Sequence, residues 1–109
     1  MKNLLIITLI IACFVAGNAA DNNIKFKVWG NCEMCKKRIE GSLKGKSGIK
    51  SASWNEDSKM MQVNYDDSKL KEDDIHNSIA KAGYDTEKVK ADEKAYNKLP
   101  ECCQYERKK

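Results

Sequence analysis

Two hydrophobic periods alternate along this chain in an order that leaves few ways to fold it. Ile24, Phe26 and Val28 alternate with Lys25 and Lys27, the period-two pattern of a strand with one covered face. Gly30-Asn31 interrupts it. From Cys35 the apolar Ile39 and Leu43 follow at four-residue steps among Lys36, Lys37, Arg38, Glu40 and Lys44, a short amphipathic helix that Gly45 and Gly48 close. Ile49, Ala52 and Trp54, a polar turn at Asn55-Glu56-Asp57-Ser58, and then Met61, Val63 and Tyr65 read as a hairpin. A second helix is predicted from about residue 70 to 82, with Leu70, Ile75, Ile79 and Ala82 facing inward. Glu72, Asp73 and Asp74 occupy its first turn, where the helix dipole favours negative charge, and Gly83 is its stop. Residues 84–89 supply a last short strand, and residues 92–99 a closing helical turn or two before Pro100. The order is strand, helix, strand, strand, helix, strand, which buries one face of an antiparallel sheet under two helices. The expected fold is therefore α+β, a ferredoxin-like βαββαβ sandwich with a short helical or irregular C-terminal tail.

The two ends of the chain carry different signals. Lys2, the apolar run from Leu4 to Ala16 and the small residues before Asp21 compose a secretory leader. The resulting division is a signal peptide over 1–20, a folded domain over 21–90 and a tail over 91–109. An exported protein is expected, periplasmic in a Gram-negative cell, with lipidation at Cys13 as the alternative processing. A length of 109 residues excludes large enzymes and two-domain architectures, and a net charge of +4 is too weak a balance to imply nucleic acid.

With Cys13 inside the leader, four cysteines remain: Cys32, Cys35, Cys102 and Cys103. They form two tight local pairs near opposite ends of the mature chain, whereas a disulfide framework spreads its cysteines to staple distant segments. Cys32-Glu33-Met34-Cys35 lies between the first strand and first helix, with Cys35 at or just before the helix N-terminus. The helix end, with Lys36, Lys37 and Arg38 beside it, is expected to stabilise the thiolate. Two soft sulfurs that can point at one spot suit Cu(I) first, then Hg(II), with Zn(II) or Cd(II) behind, since structural Zn(II) prefers a closed set of four. The competing readings are a local disulfide and a thiol-disulfide oxidoreductase in which Cys32 attacks and Cys35 resolves. Against the enzyme, Pro100 is the only proline, so no proline faces the motif, and Trp29 lies three residues before Cys32 rather than next to it.

Gly30-Asn31-Cys32-Glu33-Met34-Cys35, Ile39-Glu40, Leu43, Gly48-Ile49, Val63-Asn64-Tyr65-Asp66, Ile75, Ile79 and Ala82-Gly83-Tyr84 together resemble the heavy-metal-associated domain family, over residues 24 to about 89. The resemblance implies metal carriage by Cys32 and Cys35 without catalysis, and transient docking to a metal-transporting membrane pump. A monomer is expected, with a metal-bridged dimer as the alternative. Three features depart from the family pattern. The methionine that the family places two residues before its first cysteine is replaced by Gly30, and Met34 sits between the cysteines instead, to pack, to stay exposed or to lend a thioether. Tyr84, by contrast, matches the position of the family's aromatic or lysine near the site, to shield the metal or to cap the core. The tail carrying Cys102-Cys103 has no counterpart in the ordinary domain. The helical stretch at residues 92–99 covers about 12 Å at roughly 1.5 Å per residue, enough with its flanking loops to return to the metal loop. Cys102 and Cys103 are thus candidate third or fourth ligands, against a vicinal disulfide, a bond to Cys32 or Cys35, or a dimer contact. Trp29 and Trp54 read as core or sheet-face aromatics, His76 as an exposed polar residue, and Glu106-Arg107-Lys108-Lys109 as a frayed end.

Overall fold

The computed structural model describes residues 21–109. The leader, its cleavage point and lipidation at Cys13 fall outside the described residues. Strand β1 (Asp21–Lys27), helix α1 (Glu33–Gly41), strands β2 (Ile49–Trp54) and β3 (Met60–Asp66), and helix α2 (Glu72–Lys81) follow in the expected order. Helix α3 (Glu93–Asn97) and a 3-10 turn at Glu101–Cys103 complete the chain. Among the described residues no helix is long and apolar enough to cross a membrane.

The sheet is antiparallel in the order β1-β3-β2, with Ile24 opposite Val63, Phe26 opposite Met61, and Met61 in turn opposite Trp54. This register puts Phe26, Met61, Val63, Tyr65 and Trp54 on one face, where Ile39 and Leu43 from the α1 side and Ile75 and Ile79 from α2 cover them. Each such side chain removed from water contributes about 1.5–3 kcal/mol, which is why the alternation in sequence sets the layering. At Gly48, φ is +97° and a Cβ would lie 2.5 Å from Leu70 Cδ2, so only glycine admits this turn between α1 and β2.

The expected fourth strand shrinks to one antiparallel bridge, Val28 to Thr86, flanked by Trp29 N–H donating to the Asp85 carbonyl at 3.0 Å and Glu87 N–H to the Lys27 carbonyl at 3.0 Å. Pairing stops there because Thr86 Oγ1 accepts the Lys88 and Val89 amides at 3.2 and 3.0 Å and curls the chain away from the sheet.

His76 corrects the sequence reading, because it is fully buried rather than exposed. Its ring lies 4.1 Å from that of Phe26, Nδ1 is 2.7 Å from Thr86 Oγ1, and Nε2 is 3.3 Å from Glu72. Thr86 Oγ1 already accepts two amides, so its hydrogen points at Nδ1, and the imidazole is neutral with its proton on Nε2 facing the carboxylate. Burial lowers the imidazole pKa below its usual 6.5 in spite of Glu72, which pulls the other way. The unfolded chain therefore takes up a proton first as pH falls below about 6.5, and stability declines from that point toward the lowered native value. Urea unfolding should show a lower midpoint at pH 5.5 than at pH 7.5, and His76→Gln should flatten the profile in that interval. An equally steep decline in His76→Gln would assign the effect to other groups.

The tail is docked rather than frayed. Asp92 caps α3 by accepting the Ala95 amide at 2.9 Å, and Leu99 is buried. Tyr105 stacks on Tyr84 at 5.4 Å and meets Tyr96 edge-on at 5.0 Å, and its hydroxyl donates to the Gly83 carbonyl while accepting the Asp85 amide, both at 2.8 Å. Arg107 then forks onto the buried carboxylate of Asp85 at 2.8 and 2.9 Å, and Lys108 Nζ donates to the Thr86 carbonyl at 2.7 Å. The expectation of a solvated end at residues 106–109 overlooked this carboxylate, which belongs to the segment after α2.

Candidate metal centre

The loop from β1 to α1 is built on Trp54. A Cβ at Gly30 would lie 3.0 Å from the indole, so the glycine lets the backbone rest directly on the ring that fills the space beneath the loop. The indole Nε1 donates to the Val28 carbonyl at 3.0 Å, holding the end of β1 in place. From there the chain enters α1 with Cys32 as its N-cap residue in an extended conformation and Cys35 in the first helical turn, so the helix starts earlier than the sequence pattern placed it.

Cys32 is half-buried and Cys35 fully buried, with their sulfurs 3.5 Å apart as free thiols. Burial pushes the Cys32 thiol up, but the Cys35 and Met34 backbone amides and the neighbouring Cys35 and Cys103 thiols outweigh it, so its pKa falls below the usual thiol value. The two amides belong to the first turn of α1 and act on Cys32, whereas the Lys36 ammonium binds Glu40 and the Trp54 carbonyl, the latter at 2.9 Å.

The tail returns to this loop. Asn31 Nδ2 donates to the Cys102 carbonyl at 3.3 Å, and the Cys32 thiol approaches the same oxygen at 3.5 Å. The sulfurs of Cys32, Cys102 and Cys103 all lie within 4.8 Å of one another, with Cys102 and Cys103 4.0 Å apart. Cys102 is exposed and Cys103 is completely buried, which pushes its thiol up to about 12. Met34 is 46% exposed, and the Cys102 thiol faces its thioether sulfur at 3.9 Å.

Tyr84 sits beneath the cluster with no exposure. Its hydroxyl neighbours the Cys35 and Cys103 thiols and has no nitrogen or oxygen partner. Burial, with the two thiols beside it, raises its pKa, so the phenol stays protonated. The sequence reading missed Asp85, Tyr105 and Arg107, which hold the tail in place. The available signal was the alternation of Cys103, Tyr105 and Arg107 with Gln104 and Glu106, which matches the alternation of covered and exposed residues there.

The fold and the sulfur cluster define a class: a small α+β sandwich with a cysteine pair at its first strand-to-helix turn. The model of the heavy-metal-associated domain matches residues 31–85. A copper chaperone CopZ of Staphylococcus epidermidis is 34% identical over 55 residues, spanning 50% of this chain and 81% of the relative. The solved CopZ metallochaperone superposes with a TM-score of 0.57 at 32% identity, covering 60% of this chain and 98% of its own. The N-terminal domain of a potential copper-translocating P-type ATPase from Bacillus subtilis, solved in the Cu(I)-loaded state, gives a TM-score of 0.58 at 25% identity, covering 61% of this chain and 84% of that one. The chain belongs to the heavy-metal-associated domain family. Cys102 and Cys103 lie outside the matched residues.

Proposed function

We infer that the protein is an exported carrier of Cu(I), gripping the ion with Cys32 and Cys35 and passing it on without covalent catalysis. The observation that carries this reading is the 3.5 Å approach of those two sulfurs at a helix N-terminus, one of them with a lowered pKa. Thiolate, not thiol, binds metal, so a sulfur already biased toward ionisation binds a soft cation with less competition from protons. The copper-binding relatives supply the choice of Cu(I) over Hg(II), Zn(II) or Cd(II), and the leader composition supplies export. In transfer, a cysteine of the acceptor adds to the ion, a shared three-sulfur intermediate forms, and one original sulfur leaves. The acceptor proposed is the metal-binding domain of a membrane pump, engaged transiently.

The test is anaerobic titration of the reduced protein with Cu(I), Hg(II) and Zn(II) against competing chelators, with thiols counted before and after. One tightly held equivalent of Cu(I), lost in Cys32→Ser and in Cys35→Ser, is the expected result. Absence of tight binding together with rapid reduction of disulfide substrates would replace the carrier with a thiol-disulfide oxidoreductase.

A further inference from the structure

We propose that Cys102 and Cys103 are metal ligands, and that the tail converts the open cysteine pair into a closed site of at least three sulfurs with Cys32 as the shared corner. The proposal rests on the carrier reading above and adds to it the coordination number and the way the ion is retained.

Geometry supports it first. Three sulfurs around one ion at about 2.3 Å stand roughly 4 Å apart. The Cys32, Cys102 and Cys103 sulfurs are already within 4.8 Å of one another, and the Cys102–Cys103 edge is 4.0 Å. Closing the triangle onto an ion therefore shortens its longest edge by less than about 1 Å. The cluster contains sulfur alone, with no carboxylate or imidazole in the triangle, which selects a soft ion over a hard one.

The tail is also built to hold this position. Asn31 grips the Cys102 carbonyl from the metal loop, and the Cys103 amide donates to the Pro100 carbonyl at 2.7 Å to set the 3-10 turn. Beyond that turn, Tyr105 and Arg107 anchor the end of the chain. A merely trailing segment has no need of a buried carboxylate, two aromatic contacts and a side-chain clamp on its backbone. Cys103 lies at zero exposure beside Cys35 and Tyr84 and so closes the site from below, while exposed Cys102 is the sulfur an acceptor meets first. Release then requires the tail sulfurs to be displaced as well as the pair. A third and fourth donor in the same molecule slow release and favour retention over rapid shuttling.

The experiment compares the reduced wild-type protein, Cys102→Ser, and the Cys102→Ser/Cys103→Ser double variant, each loaded with one equivalent of Cu(I). The readouts are copper-edge X-ray absorption for the number of sulfur ligands, competition with a bidentate Cu(I) chelator for affinity, and circular dichroism for the fold. The expected wild-type value is at least three sulfurs, and four if Cys35 stays bound, falling to the Cys32–Cys35 pair alone in the double variant. Because outer partners of a metal site already change affinity by about 10- to 100-fold, loss of the ligands themselves should weaken Cu(I) binding at least about tenfold. Exposed Cys102 can be replaced without opening the core, so Cys102→Ser alone should show faster loss of Cu(I) to the chelator even if the double variant unfolds. Two sulfurs, equal affinity and equal release rates in wild type and Cys102→Ser would overturn the proposal and leave the carrier reading intact. A Cys102–Cys103 disulfide that persists beside bound Cu(I) under reducing conditions would also overturn it. Failure of the wild type to bind Cu(I) would remove both.

Discussion

Trp54→Ala should destabilise the protein by about 3–5 kcal/mol, the cost of a large aromatic removed from a packed core. Trp54 has no exposure and joins three elements that position the cysteines. Its amide donates to Glu40 at 2.8 Å and its carbonyl accepts from Lys36 at 2.9 Å, both in α1, while Nε1 binds Val28 at the end of β1 and the ring supports Gly30. Truncation leaves a cavity directly under the loop and an unpaired carbonyl at Val28. Trp54→Phe restores most of the volume but not the donor, so it should cost less, about 1–3 kcal/mol for the orphaned acceptor with some cavity. Denaturant unfolding measures both. A loss below about 1 kcal/mol for Trp54→Ala would mean that the loop collapses onto the vacated space and does not depend on the ring.

The parts of this structure that were legible in sequence are those whose partners lie on a single repeating face. β1 and β3 expose one side to water, so Ile24, Phe26, Met61, Val63 and Tyr65 alternate cleanly. The same logic fails after Gly83, where Gly83, Tyr84, Asp85 and Thr86 are buried in succession and no period of two or 3.6 describes them. Their burial is permitted by groups far along the chain: Tyr105 and Arg107 for Asp85, and His76 for Thr86. His76 falls between the apolar positions of α2 and reads as solvated because Glu72, one turn before it, looks like an exposed helix neighbour, while Thr86, the partner that buries the other nitrogen, lies beyond the helix. At the site, the Cys32–Cys35 step was legible because both ligand candidates belong to one helix start. Reach alone made an approach of Cys102 and Cys103 feasible, but the contacts that fix the tail there had no local signal, since Glu106-Arg107-Lys108-Lys109 has the composition of a free end and Asp85 carries no local mark of its role.

That carboxylate carries the second large effect. Asp85→Ala should cost about 3 kcal/mol, the lower end for breaking a buried charge pair, since Arg107 keeps access to water and a second contact to Glu93 at 3.3 Å. The Asp85 carboxylate is fully buried and accepts from Arg107 twice, from the Ala91 amide at 2.7 Å and from the Lys108 amide at 2.9 Å. Burial alone would raise its pKa, but the guanidinium and the two amides overcome it and hold the carboxyl at about 2. Because the native pKa lies below the ordinary value of 3.8, the unfolded chain binds the proton first as the solution is acidified. The stabilisation is complete above about pH 4 and is lost as pH falls toward about 2. Asp85→Asn keeps the shape and one acceptor oxygen but loses the charge, so it should lie between wild type and Asp85→Ala at pH 7. Its stability should also fall less than that of wild type between pH 4 and pH 2. The site should register the same change, because releasing Arg107 and Lys108 frees the segment that carries Cys102 and Cys103 past Tyr84. Hydrogen exchange of the Cys103 and Tyr105 amides, which donate to Pro100 and Cys103 carbonyls at 2.7 and 2.9 Å, should speed up in Asp85→Ala while the β1–β3 ladder stays protected. Uniform acceleration across the sheet would show instead that the tail and the sandwich unfold as one unit, and that the sulfurs at the two ends of the chain are held together by global stability rather than by a local clasp.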